Sequence, residues 1–147
     1  MYGDIDTRTC VPQCLTSVLY ADDATRLCVA STSCSIGFGL NSSRVCVAKC
    51  PTTPDLFGDP ISRTCLTNCP LYPNILFADP VSRICVIKCP SEPAYYAENT
   101  TQRCILFCPN NSYADNYTRL CISVCSIVEA QTFADNTTNL CVKVCPT

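Results

Sequence analysis

Cysteine is the residue type whose number and spacing in this sequence point most clearly to a particular chemistry. Sixteen of the 147 residues are cysteine and none is histidine. A cysteine content of about 11% exceeds the level typical of disulfide scaffolds. Zinc sites usually combine cysteine with histidine or use two close C-x-x-C pairs, whereas most pairs here are C-x-x-x-C. Disulfides at this density persist in an oxidising compartment. We therefore predict a disulfide-stapled, extracellular or cell-surface protein without a metal or other cofactor.

The cysteines are grouped in eight pairs at a nearly constant period. Seven pairs have the spacing C-x-x-x-C, the second pair is two residues longer, and the first cysteine recurs every 17 to 20 residues. Self-similarity at a fixed period indicates a tandem repeat. The pairs are 10/14, 28/34, 46/50, 65/69, 85/89, 104/108, 121/125 and 141/145.

Asparagine offers a second chemistry, since five N-x-[ST] acceptors for N-linked glycans occur in the chain. Four of them lie five positions before the first cysteine of a pair, and Asn110 is the exception. Asparagine and threonine are also good turn residues in their own right. We expect glycosylation, because a turn of a secreted protein is accessible to the modifying enzyme, and serines and threonines could carry O-linked sugars. The acceptors are Asn41, Asn99, Asn110, Asn116 and Asn136.

Acid–base catalysis has little support in the sequence. An acid recurs six positions before the first cysteine in seven modules, which is the pattern of a turn residue and not of a unique active site. The acid pairs Asp22/Asp23 and Asp4/Asp6 could contact Ca²⁺ weakly, but solvated turn acids are the interpretation we favour. We therefore expect no catalytic residues and no enzyme activity.

The charge and hydropathy of the chain exclude some classes of binding partner. The net charge is −2 and no basic patch is present, so nucleic acid is not expected as a partner. No apolar run reaches membrane-spanning length. The start, Met1-Tyr2-Gly3-Asp4, does not have the basic and then apolar character of a signal peptide. We therefore expect this chain to be a mature or partial piece of a longer precursor.

The repeat extends well beyond the cysteines. The consensus of the modules is [FY]-[GA]-D-x-x-[ST]-R-x-C-[VIL], with an acid in seven modules and an arginine two positions before the first cysteine in six. The aromatic residues, eight positions before that cysteine, are Tyr2, Tyr20, Phe38, Phe57, Phe77, Tyr96, Tyr113 and Phe133.

The segment Phe77–Val86 illustrates the predicted local structure. Aspartate followed by proline, as in Asp79-Pro80, suits the first two positions of a type I turn, and the carboxylate can cap an N–H group of that turn. Aromatic and β-branched residues on both sides predict a small β-hairpin. Asp79 and Arg83 are expected to form an exposed pair across the hairpin, worth less than ~1 kcal/mol.

These features predict a small disulfide-rich fold of mostly β-hairpins and loops, with little or no helix. One aromatic and a few aliphatic side chains per module give no sizeable core, so stacking of neighbouring modules must stabilise an elongated rod. We delimit eight modules: 1–14 (partial), 15–34, 35–50, 51–69, 70–89, 90–108, 109–125 and 126–147.

Sequence alone leaves the disulfide pairing open. The repetition narrows it to three schemes: bonds within each pair, bonds from a second cysteine to the next first cysteine, or crossed bonds between neighbouring pairs. A bond within a pair would leave the hairpins unstapled.

The segments Cys85–Pro90, Tyr95–Glu98 and Arg103–Cys104 resemble the furin-like cysteine-rich repeats. Those repeats occur in growth-factor-receptor ectodomains, in some proprotein convertases and in protist surface proteins, and the regular array is most similar to the ciliate-type members. The chain lacks the C-x-x-C-H-x-x-C segments found in convertases, which weighs against a protease-linked role. The resemblance implies the second pairing scheme: Cys14–Cys28, Cys34–Cys46, Cys50–Cys65, Cys69–Cys85, Cys89–Cys104, Cys108–Cys121 and Cys125–Cys141.

This scheme leaves Cys10 and Cys145 without a partner. If the end of one copy is joined to the start of another, 11 residues separate the two cysteines and Tyr2 falls in register. We therefore expect a head-to-tail homopolymer, joined either by Cys145–Cys10 bonds or by chain continuation.

The leading functional expectation is a structural component of an extracellular glycosylated fibril or surface coat. The alternative is a spacer or adhesive stalk of a protist cell-surface receptor or adhesin. Protease inhibition would require a distinctive exposed loop, and the irregular linkers 51–56, 70–76 and 126–132 do not provide one.

Overall fold

A computed structural model of the chain describes residues 1–14, 16–126 and 131–146. Within these ranges it contains sixteen short β-strands, one 3₁₀ turn at Ser31–Ser33 and no α-helix. The predicted fold class of small, disulfide-rich tandem β-hairpins is confirmed. The predictions that involve residues 127–130 of the last linker and residue 147 at the end-to-start junction lie outside the described residues.

Each module contributes two strands, the first carrying the aromatic residue and the second the first cysteine of the pair. The two additional residues of the second cysteine pair accommodate the 3₁₀ turn. The strands are β1 Tyr2–Asp4, β2 Thr9–Val11, β3 Leu19–Asp22, β4 Leu27–Ala30, β5 Phe38–Leu40, β6 Val45–Val47, β7 Phe57–Gly58, β8 Cys65–Leu66, β9 Phe77–Ala78, β10 Cys85–Val86, β11 Tyr96–Glu98, β12 Arg103–Ile105, β13 Tyr113–Asp115, β14 Leu120–Ile122, β15 Phe133–Asp135 and β16 Leu140–Val142.

The turn of each hairpin is organised by its acid. The carboxylate of Glu98 accepts hydrogen bonds from the backbone N–H groups of Thr100 and Thr101 and from the Thr101 hydroxyl, each at 2.7 Å. Burial raises the pKa of Glu98, but these hydrogen bonds outweigh it and lower the pKa to about 2. Asp115 and Asp135 are held in the same way. The predicted capping role of the acid is confirmed.

The residue two positions before each first cysteine has a left-handed backbone. In five of the modules its N–H closes the turn on the carbonyl of the acid position, as from Arg119 to Asp115 at 2.9 Å. This conformation costs a non-glycine residue about 1 kcal/mol, so other interactions of the folded chain must offset it. The eight residues are Arg8, Arg26, Arg44, Arg63, Arg83, Gln102, Arg119 and Asn139, with φ between 55° and 63°.

Hairpins are joined into sheets by parallel pairing between modules. Within each hairpin the strands are antiparallel, as in Ala97↔Cys104, whereas the first strand of one module runs parallel to the second strand of the next, as in Ala97↔Leu120. One sheet has the order β2-β1-β4-β3-β6-β5 and another the order β10-β9-β12-β11-β14-β13-β16-β15; β7 and β8 form a separate pair. The strands β2 and β15 are therefore edge strands.

The chain divides into two compact units. One comprises Met1–Pro70 with Val81–Cys85, and the other comprises Leu71–Pro80 with Val86–Thr147. Their hydrophobic clusters are small: in the second unit, for example, Phe77 packs with the Cys89–Cys104 disulfide and Ala97. Each of these clusters lies between successive modules, so stacking buries the apolar side chains that a single hairpin would expose.

The expectation that Asp79 and Arg83 are exposed is wrong. Asp79 is only 4% exposed and Arg83 only 6%. The Arg83 guanidinium pairs with the carboxylate of Asp55, a residue of the linker just before Phe57, at 2.6 Å. The reason is that arginine at this position reaches back onto the preceding module, where the ring of Phe57 and the linker receive it.

Candidate functional site at the module junctions and their open ends

Seven disulfides join the modules. Each runs from the second cysteine of a pair to the first cysteine of the next, from Cys14–Cys28 to Cys125–Cys141, which is the pairing that the resemblance implies. Their Cα–Cα distances lie between 5.5 and 5.7 Å. Each disulfide closes a loop with a sequence separation of 12 to 16 residues, which stabilises the fold by roughly 3 kcal/mol. Because each bond joins two consecutive modules, every internal junction has a covalent link.

A backbone hydrogen bond repeats at every internal junction. The small residue after the aromatic donates its N–H to the carbonyl of the left-handed residue in the next module, for example Ala97 to Arg119 at 2.7 Å and Ala114 to Asn139 at 2.8 Å. The left-handed backbone turns this carbonyl towards the preceding module, which explains why the conformation recurs. The pairs are Gly3–Arg26, Ala21–Arg44, Gly39–Arg63, Gly58–Arg83, Ala78–Gln102, Ala97–Arg119 and Ala114–Asn139.

The aromatic ring of one module lies on the backbone of the next. A Cβ atom placed on Gly39 would lie 2.8 Å from the Tyr20 ring, and one placed on Gly58 would lie 2.5 Å from the Phe38 ring. These distances are shorter than carbon–carbon contact, so at Gly39 and Gly58 only glycine fits beneath the ring as it is placed.

An arginine of the next module lies over several of these rings. The Cζ atom of Arg83 lies 4.1 Å from the Phe57 ring centre, and that of Arg119 lies 4.4 Å from the Tyr96 ring centre. The guanidinium groups also donate to linker carbonyls, Arg83 to Pro51 at 2.9 Å and Arg119 to Pro90 at 2.8 Å. Cation–π attraction and these bonds offset part of the cost of burying the charge.

A tyrosine in the aromatic position makes one more contact across the junction. Its hydroxyl donates to the turn residue that lies five positions before the next first cysteine, as from Tyr20 to Asn41 Oδ1 at 2.5 Å. The same hydrogen bond to the Asp23 carboxylate raises the pKa of Tyr2 above its ordinary value. The four pairs are Tyr2–Asp23, Tyr20–Asn41, Tyr96–Asn116 and Tyr113–Asn136.

All five predicted glycan acceptors have exposed side chains. Asn41, Asn116 and Asn136 are oriented by the tyrosine hydroxyl on their Oδ1. That bond leaves unused the amide nitrogen, the atom to which an N-linked glycan is attached. The structure therefore places the four in-register acceptors at equivalent turns and Asn110 in a linker. The tyrosine contact could not be found from local sequence, because its partners lie 20 to 23 residues apart.

The two ends of the array carry unmatched halves of this junction. Cys10 and Cys145 are free and exposed, whereas all but one of the bonded cysteines are buried. Phe133, on the edge strand β15, is 42% exposed, compared with 1% for Phe57. Arg8, next to the edge strand β2, is also exposed. Within the described residues, neither Ala134 N–H nor the Arg8 carbonyl makes the junction hydrogen bond.

No three histidine, cysteine or acidic side chains converge as a metal site would require, within the ranges that the structure describes. The same residues include no helix with the length and hydropathy to cross a bilayer. The disulfide content is typical of a secreted or extracellular protein.

Comparison with known proteins found no matching family model, no matching curated protein and no matching solved structure. The functional interpretation therefore depends on the geometry of the junction and of its two open ends.

Proposed function

We propose that this protein is a structural, non-catalytic component of an extracellular glycosylated fibril or surface coat, in which copies are joined head to tail. The observation that carries the proposal is the complementarity of the two open ends. One end presents Cys145, Phe133 and the edge of β15, and the other presents Cys10 and the edge of β2. Together they supply the parts that an internal junction contains.

The open ends also give association a driving force. An unpaired strand edge is a template for pairing with another chain, and a half-exposed phenylalanine gains free energy when it is covered. Because the two surfaces differ, their contact is heterologous, and such a contact propagates into an open filament unless a rotation closes it. A head-to-tail fibril is the assembly that this geometry favours.

The turns supply the proposed coat. Exposed asparagines at equivalent turns would attach N-glycans at the module period, with more of them in the second half of the chain. The acids of the same turns are engaged by backbone and hydroxyl donors, which suits a structural role better than proton transfer. Enzymatic removal of N-glycans from protein secreted by a eukaryotic host should lower its mass in discrete steps. An unchanged mass would contradict the glycosylated coat.

Two single variants test the head-to-tail link. Cys10→Ser retains only the Cys145 thiol, and Cys145→Ser retains only the Cys10 thiol. Under mild oxidation the unsubstituted chain should give a ladder of multimers in non-reducing electrophoresis and filaments in negative-stain images. A mixture of the two variants should give one mixed dimer and nothing longer. A clean monomer of the unsubstituted chain would contradict the proposal.

A further inference from the structure

The internal junctions follow a matching rule between one aromatic residue and one turn residue. Every tyrosine in the aromatic position donates to an aspartate or asparagine of the next module, at 2.5 to 2.6 Å. Tyr20 and Tyr96 are only 4% and 5% exposed, and a buried hydroxyl without an acceptor is destabilising. A tyrosine therefore requires a polar turn residue opposite it.

Phenylalanine has no such requirement, and the sequence reflects this. In the register of the repeat, Phe38 precedes Pro60, Phe57 precedes Pro80 and Phe77 precedes Asn99. An apolar turn residue thus follows only phenylalanine, while tyrosine is never followed by one. The turn residue of a module therefore indicates whether a tyrosine or only a phenylalanine of the preceding module can pack against it.

The two ends of the array obey this rule when they are placed together. Ile5 occupies the turn position of the first module, is 66% exposed, and is apolar like the two prolines that follow phenylalanine. Phe133 is the aromatic of the last module and is 42% exposed. The last module has no following turn residue to cover its aromatic, Phe133. Because Phe133 is a phenylalanine, an apolar turn residue such as Ile5 can cover it.

We propose that the first module of a second copy covers Phe133, with Ile5 and Arg8 against its ring and Gly3 beneath it. This inference rests on the proposed head-to-tail function and specifies its contact. By analogy with Ala97 and Arg119, the Ala134 N–H donates to the Arg8 carbonyl and β15 pairs in parallel with β2. The matched side chains select the first module of another copy as the partner and set the register of the joined strands.

The same contact brings the two free thiols into the position of an internal disulfide. Cys145 and Cys10 then exchange with a small-molecule disulfide such as oxidised glutathione. The two thiols lose two protons and two electrons and form one S–S bond, while the small disulfide is reduced to two thiols. The side-chain matching therefore acts before the covalent step and raises the equilibrium yield of linked chains.

The test is a double-mutant cycle on the full chain in a glutathione redox buffer. Phe133→Tyr places a hydroxyl opposite an apolar residue, and Ile5→Asp places an acceptor opposite a ring without a hydroxyl. We expect Phe133→Tyr to lower the equilibrium constant for Cys145–Cys10 linkage about fivefold. Ile5→Asp alone should leave it within about twofold, because Phe77 already precedes the polar Asn99 inside the array. Their combination recreates the Tyr2–Asp23 pair, and we expect it to restore linkage to within about twofold of the original value.

Two control variants test whether a change in Cys145–Cys10 linkage is specific to the two ends of the array. Phe107→Tyr and Ile61→Asp make the same changes at exposed positions away from the two ends, and linkage should be unaffected. If the two test variants are additive, the matching inference is overturned while a head-to-tail ladder still supports the proposed function. If the unsubstituted chain forms no intermolecular bond, including the case where both thiols join within one molecule, the proposed function fails as well.

Discussion

At the scale of single residues, the recurring arginine shows how a backbone cost is offset by a contact with the preceding module. Arg8 and Arg83 have the same left-handed backbone, with φ of 55° and 63°. Arg83 is buried, pairs with Asp55 and lies over the Phe57 ring. Arg8 is exposed. The two positions therefore share the strain but not the compensating contacts.

Replacement of each arginine by asparagine should have opposite effects on stability. Asparagine adopts the left-handed conformation more readily, so Arg8→Asn should raise the free energy of unfolding by up to ~1 kcal/mol. Arg83→Asn removes a buried guanidinium from the Phe57 ring and from the Pro51 carbonyl and should lower that free energy by about 1–2 kcal/mol. Denaturant titration of both variants measures the difference. Equal effects at the two positions would show that the arginine side chain contributes nothing at the junction.

At the scale of the hairpin, the turn acids make stability depend on pH. The pKa of Glu98 is lowered to about 2 from an ordinary value of 4.5. Burial raises the pKa of Asp59, but hydrogen bonds from Ser62 and Ile61 outweigh it and lower that pKa. A hydrogen bond from Thr138 lowers the pKa of Asp135. Between about pH 2 and pH 4.5, the unfolded chain therefore binds more protons at Glu98 than the folded chain does. The stabilisation is present above about pH 4.5 and is lost as the pH falls towards 2.

We expect the midpoint of thermal unfolding to fall steadily as the pH is lowered from about 4.5 to 2. Glu98→Gln removes one titrating group and should make this decline shallower, with little additional loss near pH 2. Glu92→Gln changes an exposed glutamate of a linker and serves as the control, with a decline like that of the unsubstituted chain. An identical pH profile for Glu98→Gln would contradict the capping role of this carboxylate.

Much of the hairpin could be predicted from sequence, because its determinants are local. The acid and the hydroxyl of each turn are three residues apart, as in Glu98 and Thr101, and their spacing indicates the hydrogen bond that forms. The burial of Arg83 could not be predicted, since Asp55, with which it pairs, lies 28 residues earlier in the preceding module. The cis bonds before Pro54, Pro73 and Pro93 also have no unambiguous sequence signal. Contacts between modules require the stacking geometry, which the repeat pattern alone does not specify.

At the scale of the whole molecule, seven disulfides stabilise a chain whose described residues form only small hydrophobic clusters. Each closes a loop with a sequence separation of 12 to 16 residues and contributes roughly 3 kcal/mol. Complete reduction should therefore abolish the strand signal in circular dichroism. The double variant Cys10→Ser/Cys145→Ser removes only the free, exposed thiols and should keep that signal under oxidising conditions. An unchanged spectrum in excess reductant would contradict the dependence of the fold on its disulfides.

Modularity makes a further prediction, because each junction depends only on its two neighbours. Deletion of residues 90–108 removes one whole module and leaves twelve residues, 109–120, between Cys89 and Cys121. Phe77 would then precede Asn116, a combination like that of Phe77 and Asn99. We expect the shortened chain to form six disulfides, including Cys89–Cys121, and to retain its circular dichroism per residue.

A deletion of equal length in the wrong register is the matched control. Removal of residues 99–117 takes away the same two cysteines and again leaves twelve residues between Cys89 and Cys121. It joins Glu98 directly to Thr118, so the turn loses the two residues between its acid and its hydroxyl and the left-handed position shifts. Peptide mapping of the disulfides should find the Cys89–Cys121 bond in the first deletion and mixed pairing in the second. Native pairing in both would show that loop length alone directs the disulfides, whereas a difference would show that the hairpin positions the cysteines before they bond.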